Sequence, residues 1–287
     1  MDVFSHSFFA DSDTPYDDAR YVIFGVPFDG TTSFRPGTRA GPRAIRELSY
    51  NFESYVPAFD LDLAEIPFTD LGDLDVSVCP DIMVEEVVEV VREIIQDKKI
   101  PVMLGGEHSV TAAAVRAVHP DCFIVCDAHL DLREEFRGAA NNHACTTRRV
   151  YEESTRDIII IGGRSGTAEQ FEFARNNLVL YTADMIRQTG IASVIEEIQE
   201  KIEGKHVYLS IDADAIDCCL TPGLGTPEPF GLLPGEIRDI VTSLAPSAVA
   251  FDYTEVCPVY DHGQAATVAG QIIREFIAAN WMSRNKN

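Results

Sequence analysis

The sequence predicts a three-layer α/β/α fold around a mostly parallel sheet of eight strands. Short apolar runs alternate with helix-like stretches along almost the whole chain, and this alternation is typical of βαβ units. The runs are continuously apolar, as strands buried on both faces should be. The 287 residues contain no repeat and no long linker, so we expect a single domain spanning residues 1–287.

Each predicted strand is a short, mostly apolar run bounded by polar or turn-forming residues. In chain order these runs cover residues 21–26, 66–70, 101–104, 122–126, 158–161, 178–181, 206–211 and 248–251.

The predicted helices show apolar residues at helical spacing. In the stretch from Asp81, Val84, Val87, Val88 and Val91 share one face, while carboxylates occupy the other. Another predicted helix begins with a proline at position 42, where a missing N–H has little effect. The eight predicted helices cover residues 42–52, 81–97, 110–118, 144–152, 168–174, 191–203, 234–244 and 265–279.

Composition restricts the class of partner. The formal net charge of −23 disfavours nucleic acid and anionic membranes as partners and favours a small cationic one, although solubility alone also explains an acidic surface. No apolar run reaches the roughly 18 residues that span a bilayer, and the N-terminus lacks signal-peptide features. We therefore expect a cytoplasmic protein.

The seven cysteines form no C-x-x-C pair. The sequence therefore predicts neither a disulfide framework nor a thiolate zinc site, and most of the cysteines are interpreted as small buried residues.

Polar residues of metal-ligand type follow four of the predicted strands, those ending at residues 104, 126, 211 and 251, and the first three supply the predicted ligands. In an extended segment, side chains two residues apart point the same way, so we expect the members of each group to converge on one rim of the sheet. The predicted ligands are His108, Asp127, His129, Asp131, Asp212 and Asp214.

Four carboxylates at close quarters cannot all stay ionised without a counter-charge, and two divalent cations would provide it. An oxygen-rich set with two imidazoles and no thiolate suits Mn²⁺ best, with Fe²⁺, Co²⁺, Ni²⁺ and Zn²⁺ left open. Each residue alone could be a helix cap or turn residue. Their joint arrival at separate strand ends favours the metal interpretation.

Several segments resemble the arginase/agmatinase (ureohydrolase) family, and the resemblance covers nearly the whole chain. They read G-G-E-H-S at 105–109, D-A-H-L-D at 127–131, S-I-D-A-D-A-I-D at 210–217 and P-G-L-G-T-P-E at 222–228, preceded by G-V-P-F-D-G-T-T-S-F-R-P-G-T-R-A-G-P-R-A-I-R at 25–46. One departure lies at Cys218-Cys219, where the family commonly has a proline, and we expect a local backbone change there.

The resemblance implies a binuclear Mn²⁺ site and a role for each site residue. His108, Asp127, Asp131 and Asp212 would bind one ion, and Asp127, His129, Asp212 and Asp214 the other. His143 would shuttle a proton and Glu255 would hold a guanidinium group, which makes both of them catalytic and substrate-binding residues.

The resemblance also implies a substrate and an assembly. The arginase S-G-N-x-H-G segment is missing, so agmatine is favoured, with putrescine and urea as products. Arginine, 4-guanidinobutyrate and formiminoglutamate remain alternatives within the family. A metallophosphoesterase is disfavoured because G-N-H-E is absent, and a metal-loaded regulatory homologue because no ligand is missing. A homotrimer or homohexamer is implied by the family alone.

Overall fold

The computed structural model describes residues 8–285 and contains the predicted central sheet. Within these residues, eight strands follow the order β4-β1-β5-β10-β9-β6-β7-β8, and every pairing between them is parallel. The predicted fold class is confirmed. The strands are β1 Tyr21–Val26, β4 Phe68–Asp73, β5 Ile100–Gly105, β6 Cys122–Cys126, β7 Ile158–Gly163, β8 Val179–Thr182, β9 Val207–Asp212 and β10 Ala248–Thr254; β2 Tyr55–Val56 and β3 Leu61–Asp62 form a separate small hairpin.

Nine α-helices cover the sheet in the described part of the chain. They are α1 Gly41–Ser49, α2 Pro80–Gln96, α3 Ser109–Val118, α4 Thr146–Glu153, α5 Ala168–Asn177, α6 Ala183–Thr189, α7 Ile191–Lys201, α8 Pro234–Leu244 and α9 Gln264–Arg284. No helix between residues 8 and 285 combines the length and apolarity needed to cross a membrane.

The sheet separates two apolar layers because its side chains alternate between faces. In β1, Tyr21 and Ile23 pack with α1 and α6–α9, whereas Val22 and Phe24 pack with α2–α5. All of these strand side chains are buried, and each such burial contributes about 1.5–3 kcal/mol. The three-layer arrangement follows from this alternation.

The structure corrects several predicted boundaries. The strand expected at 66–70 is β4, and it begins two residues later because Ile66 closes a short 3-10 turn. Helix α4 begins at Thr146, after a 3-10 turn at His143–Cys145. The sequence interpretation missed α6 and the β2–β3 hairpin, which are short elements with little periodicity.

Candidate metal centre

The predicted ligands come from the middle of the sheet. Strands β5, β10, β9 and β6 are consecutive neighbours, and the candidate residues lie at or just beyond their carboxyl ends. In parallel sheets this edge is the usual place for a ligand site. The sheet order therefore brings together residues that are more than one hundred positions apart in sequence.

The first group surrounds the His108 ring. Its Nδ1 lies 3.2 Å from Asp127 Oδ2, 3.2 Å from Asp212 Oδ2 and 3.4 Å from Asp131 Oδ2. All four side chains are buried. Despite these short distances, neither His108 Nδ1 nor Asp127 Oδ2 has a hydrogen-bond partner within residues 8–285. Buried polar atoms that converge without hydrogen bonding fit ligands arranged around a cation.

The second group surrounds the His129 ring. Its Nδ1 lies 2.9 Å from Asp214 Oδ2 and 3.7 Å from Asp127 Oδ1, so Asp127 touches both groups. Ligand atoms of Asp127, His129 and Asp214 lie within 4.8 Å of one another. Asp212 reaches this group through its Oδ1, which accepts a hydrogen bond from the Asp214 amide at 2.8 Å. The structure thus brings all six predicted ligands together in two adjoining groups.

The geometric reason we expected for this convergence is wrong. Strand β6 ends at Cys126, and Asp131 has a positive φ of 48° rather than an extended backbone. Asp214 lies in a 3-10 turn, Ala213–Ala215. Loop conformation beyond the strand ends, not strand alternation, aims these side chains.

The hydrogen bonds of His108 fix which ring nitrogen faces the carboxylates. Ser210 Oγ donates to Asp252 Oδ1 at 2.6 Å, so it accepts from His108 Nε2 at 3.1 Å. Tyr208 donates to the other Asp252 oxygen at 2.6 Å. In the neutral ring the proton lies on Nε2, and the lone pair of Nδ1 faces Asp127 and the other carboxylates, which is the tautomer that binds a metal.

The electrostatics of the groups also call for a cation. Burial would lower the pKa of His108, but the carboxylates of Asp127, Asp131 and Asp212 outweigh it and raise that pKa well above its usual value. Burial, reinforced by Asp127, raises the pKa of Asp131 to about 6. Without another positive charge nearby, His108 and Asp131 therefore tend to keep their protons. Divalent cations would supply that positive charge and replace the protons.

His143 lies at the same pocket and is oriented by a hydrogen-bond chain. Glu107 accepts from both the amide (2.8 Å) and the hydroxyl of Thr31, so the Thr31 hydroxyl must accept from His143 Nδ1 at 3.1 Å. The proton therefore sits on Nδ1. The lone pair of Nε2 remains available and lies 3.1 Å from Ser33 Oγ.

Burial, followed by the positive charges of His129, His108 and Arg137, lowers the pKa of His143 to about 4.

Two residues that sequence reasoning left without a role, Thr31 and Glu107, thus control His143. The loops that carry them are held together because Gly106 N donates to Val26 O at 2.8 Å and Glu107 N donates to Phe28 O at 2.7 Å. A Cβ at Gly106 would lie only 2.0 Å from the Phe28 carbonyl oxygen, so the approach requires glycine. The motifs containing both residues were visible, but their contact was not.

Glu255 follows β10 and brings a carboxylate into the pocket. Its Oε1 accepts the His108 amide at 2.8 Å, and its backbone is left-handed with φ 62°. Burial, reinforced by Glu107 and Asp214, raises the pKa of Glu255 well above its ordinary value. A Cβ at Gly225 would lie 3.2 Å from Glu255 Oε2, so glycine keeps the space beside that oxygen open.

A cavity of about 300 Å³ joins these groups. His108, His129, Asp131, His143 and Glu255 all line it. Its wall also includes Arg133 and Phe136, Ser33, Ser165, Gln170 and Thr226. The cavity gives a small molecule simultaneous access to both ligand groups, a histidine and a buried carboxylate.

Glu228 and Arg164 support the second group from outside. Glu228 Oε1 accepts from Ser165 Oγ at 2.7 Å and lies 3.5 Å from His129 Nε2. Arg164 donates to the main-chain carbonyls of Asp214 (2.7 Å) and Glu228 (2.9 Å).

Comparison with known proteins places this architecture among characterised chains. The arginase family model matches residues 19–279. The agmatinase of Pyrococcus horikoshii is 39% identical over 83% of this chain and 84% of its own. The N(1)-aminopropylagmatine ureohydrolase of Thermococcus kodakarensis is 40% identical over 83% of each chain. The solved agmatine ureohydrolase of Thermoplasma volcanium superposes with a TM-score of 0.94 at 37% identity, covering 99% of this chain and 98% of its own.

Proposed function

The chain belongs to the arginase family and is an enzyme that acts on amidino C–N bonds, and we propose that it hydrolyses agmatine to putrescine and urea. The observation that carries the proposal is the buried Glu255 carboxylate, which lines the same cavity as both ligand groups and His143. A carboxylate that is expensive to ionise alone becomes a strong site for a guanidinium ion.

We assign the six candidate ligands to two divalent cations, with Asp127 and Asp212 shared between them. The orphaned Nδ1 of His108 and Oδ2 of Asp127 support this assignment. The ligand set contains four carboxylates and two imidazoles and favours Mn²⁺ among divalent metals. When bound, two such cations supply an activated water and offset charge that develops on the substrate.

Glu255 would bind and orient the substrate. Its Oε1 is held by the His108 amide, so Oε2, beside Gly225, is free to accept a guanidinium N–H. The positive guanidinium would stabilise the ionised form of a carboxyl whose pKa is raised by burial. Binding therefore couples the charge of the substrate to its position over the ligand groups.

His143 would move the proton. Its ring is neutral at neutral pH because its pKa is lowered, and its Nε2 faces Ser33 at the pocket. Nε2 can accept a proton as water adds to the guanidinium carbon and return it to the departing amine nitrogen. The Thr31–Glu107 chain keeps the ring in the tautomer that this step requires.

A second candidate substrate class has a carboxylate tail, as in 4-guanidinobutyrate. Arg133 lines the cavity, and its guanidinium lies 5.0 Å from the centroid of the Phe136 ring. A cation at this position would attract a carboxylate tail and repel the ammonium of agmatine. A further candidate substrate is N(1)-aminopropylagmatine, which has a longer tail than agmatine. The name of the similar Thermococcus protein suggests this substrate.

The test is a comparison of products from the Mn²⁺-loaded protein. It is incubated separately with agmatine, N(1)-aminopropylagmatine, arginine, 4-guanidinobutyrate and formiminoglutamate, and urea, formamide and amines are measured. We expect urea and putrescine, with agmatine giving the highest kcat/KM. A higher kcat/KM for a carboxylate substrate that Arg133→Ala abolishes would overturn the agmatine assignment and support the second candidate.

The domain organisation, cellular location and assembly stay predictions. We expect one catalytic domain across 1–287, a cytoplasmic enzyme, and a homotrimer or homohexamer that light scattering would measure directly.

A further inference from the structure

Two adjacent cysteines lie in a loop just beyond the candidate metal centre. Cys218 and Cys219 directly follow Asp217. Cys219 is exposed, whereas Cys218 is partly buried and packs against the core. The sulfur atoms of Cys218 and Cys219 and one carboxylate oxygen of Asp217 all lie within 4.8 Å of one another. The two cysteines are adjacent and therefore do not have C-x-x-C spacing.

The loop is held in place by hydrogen bonds that main-chain amides donate to the Asp217 carboxylate and to a main-chain carbonyl. Asp217 Oδ1 accepts the Cys219 amide at 2.8 Å, and Oδ2 accepts the Gly231 amide at 3.0 Å. The Cys218 amide donates to the Glu228 carbonyl at 3.3 Å. These contacts fix the main chain on both sides of the thiols, so little ordering would be needed for a ligand to bind.

The charges around the thiols favour a cation. A hydrogen bond to the Asp217 carboxylate and its negative charge, followed by the charge of Cys218, raise the pKa of Cys219. A cation bound at this cluster relieves the repulsion that would arise among two thiolates and a carboxylate.

We propose that Asp217, Cys218 and Cys219 form a separate site for one thiophilic divalent cation, such as Zn²⁺ or Cd²⁺. Two sulfur atoms and one carboxylate oxygen supply three ligands, and water completes the coordination. Binding one cation releases two thiol protons, so that the site gains no net charge from the exchange. Thiolates prefer soft cations, whereas the oxygen-rich ligand set of the other centre suits Mn²⁺.

Cadmium tests the site through a signal that the other centre cannot give. The Mn²⁺-loaded protein is titrated with Cd²⁺ while the thiolate-to-cadmium charge-transfer absorption and proton release are followed. None of the six candidate ligands of the other centre contains sulfur, so Cd²⁺ bound there produces no such absorption. We expect the absorption to saturate at one equivalent, with two protons released per ion.

Variants then locate the signal. Cys218→Ser and Cys219→Ser should each weaken Cd²⁺ binding by more than the roughly 10- to 100-fold change that follows loss of an outer partner. Cys79→Ser, which removes another exposed cysteine, is the matched control and should change nothing. Thermal unfolding of each apoprotein checks the fold. Stoichiometric absorption that survives in the Cys218→Ser/Cys219→Ser double variant, or no saturating absorption in the parent protein, would overturn the proposal whatever the substrate of the enzyme is.

Discussion

The two ligand groups of the metal centre differ in their access to solvent. Both histidines line the cavity, but the side chain of His108 is 1% exposed, whereas that of His129 is 26% exposed. The outer nitrogen of His108 meets Ser210 inside the sheet, and that of His129 faces Glu228, whose side chain is 32% exposed.

This difference follows from the elements that supply the outer partners. Ser210 and Asp252 lie on the central strands β9 and β10, where the ladder fixes their positions. Glu228 lies in a loop between β9 and α8. We infer that the His108 group, called the inner group here, holds its cation more tightly and exchanges it more slowly than the His129 group, called the outer group.

The largest effect is expected from a substitution that disrupts the inner and outer groups at the same time. Asp127 contacts both groups, so Asp127→Asn should lower the affinity for both cations. It should also lower kcat by more than the roughly 10²–10⁴-fold loss typical of a missing acid–base group. Metal analysis and steady-state kinetics measure this. Asp157→Asn, at a partly exposed ion pair with Lys205, is the control. Retention of both metals with full affinity would contradict the shared role.

The next effect separates chemistry from metal binding. His143→Gln should lower kcat by roughly 10²–10⁴-fold while both metals remain, because the ring hydrogen bonds with Thr31 and Ser33 and not with a candidate ligand. Kinetics and metal content of the same preparation give the answer. A matching loss of metal would mean that His143 acts through the centre.

The pKa of His143 also predicts a pH effect on stability. It is about 4 in the folded protein and 6.5 in the reference state, so only the unfolded chain takes up this proton between these values. The free energy of unfolding should therefore fall as pH drops from about 6.5 to about 4. Denaturant unfolding across this range should show a shallower decline in His143→Gln, and an unchanged decline would exclude this contribution.

A smaller effect targets the inner group alone. Ser210→Ala removes the acceptor of His108 Nε2. It should lower the affinity for one of the two cations by roughly 10- to 100-fold. Calorimetric metal titration would show one weakened and one unchanged site. Tyr208→Phe removes the other donor to Asp252 without touching His108, so an equal loss there would point to general loosening of the strands instead.

The smallest effect targets the outer group. Glu228→Gln keeps an acceptor for Ser165 but removes a charge near His129, and it should weaken the other cation by about tenfold, at the low end for an outer partner. Glu85→Gln, at a distant surface ion pair with Arg116, is the control. If Glu228→Gln affected metal binding more than Ser210→Ala, the inner and outer assignments would be reversed.

The sequence was sufficient to predict the sheet and the residues that gather at its edge, because continuous apolar runs and metal-ligand residue types are local signals. It did not reveal how the side chains are aimed. Asp131 and Asp214 point inward through a left-handed residue and a 3-10 turn, which depend on packing beyond the strand ends. The Thr31–Glu107 contact joins positions separated by 76 residues, and no periodicity reports such a contact.

Two of the site residues, Asp131 and Glu255, have left-handed backbones with φ of 48° and 62°. A non-glycine residue in this region costs roughly 1 kcal/mol or more, which glycine would recover in part. Variants of this protein selected in the laboratory only for heat resistance should therefore accumulate glycine at these positions. Their thermal stability should rise while their catalytic activity is lost. If activity is selected as well, aspartate and glutamate should persist at these positions. Sequencing the variants selected with and without a requirement for activity would measure this difference.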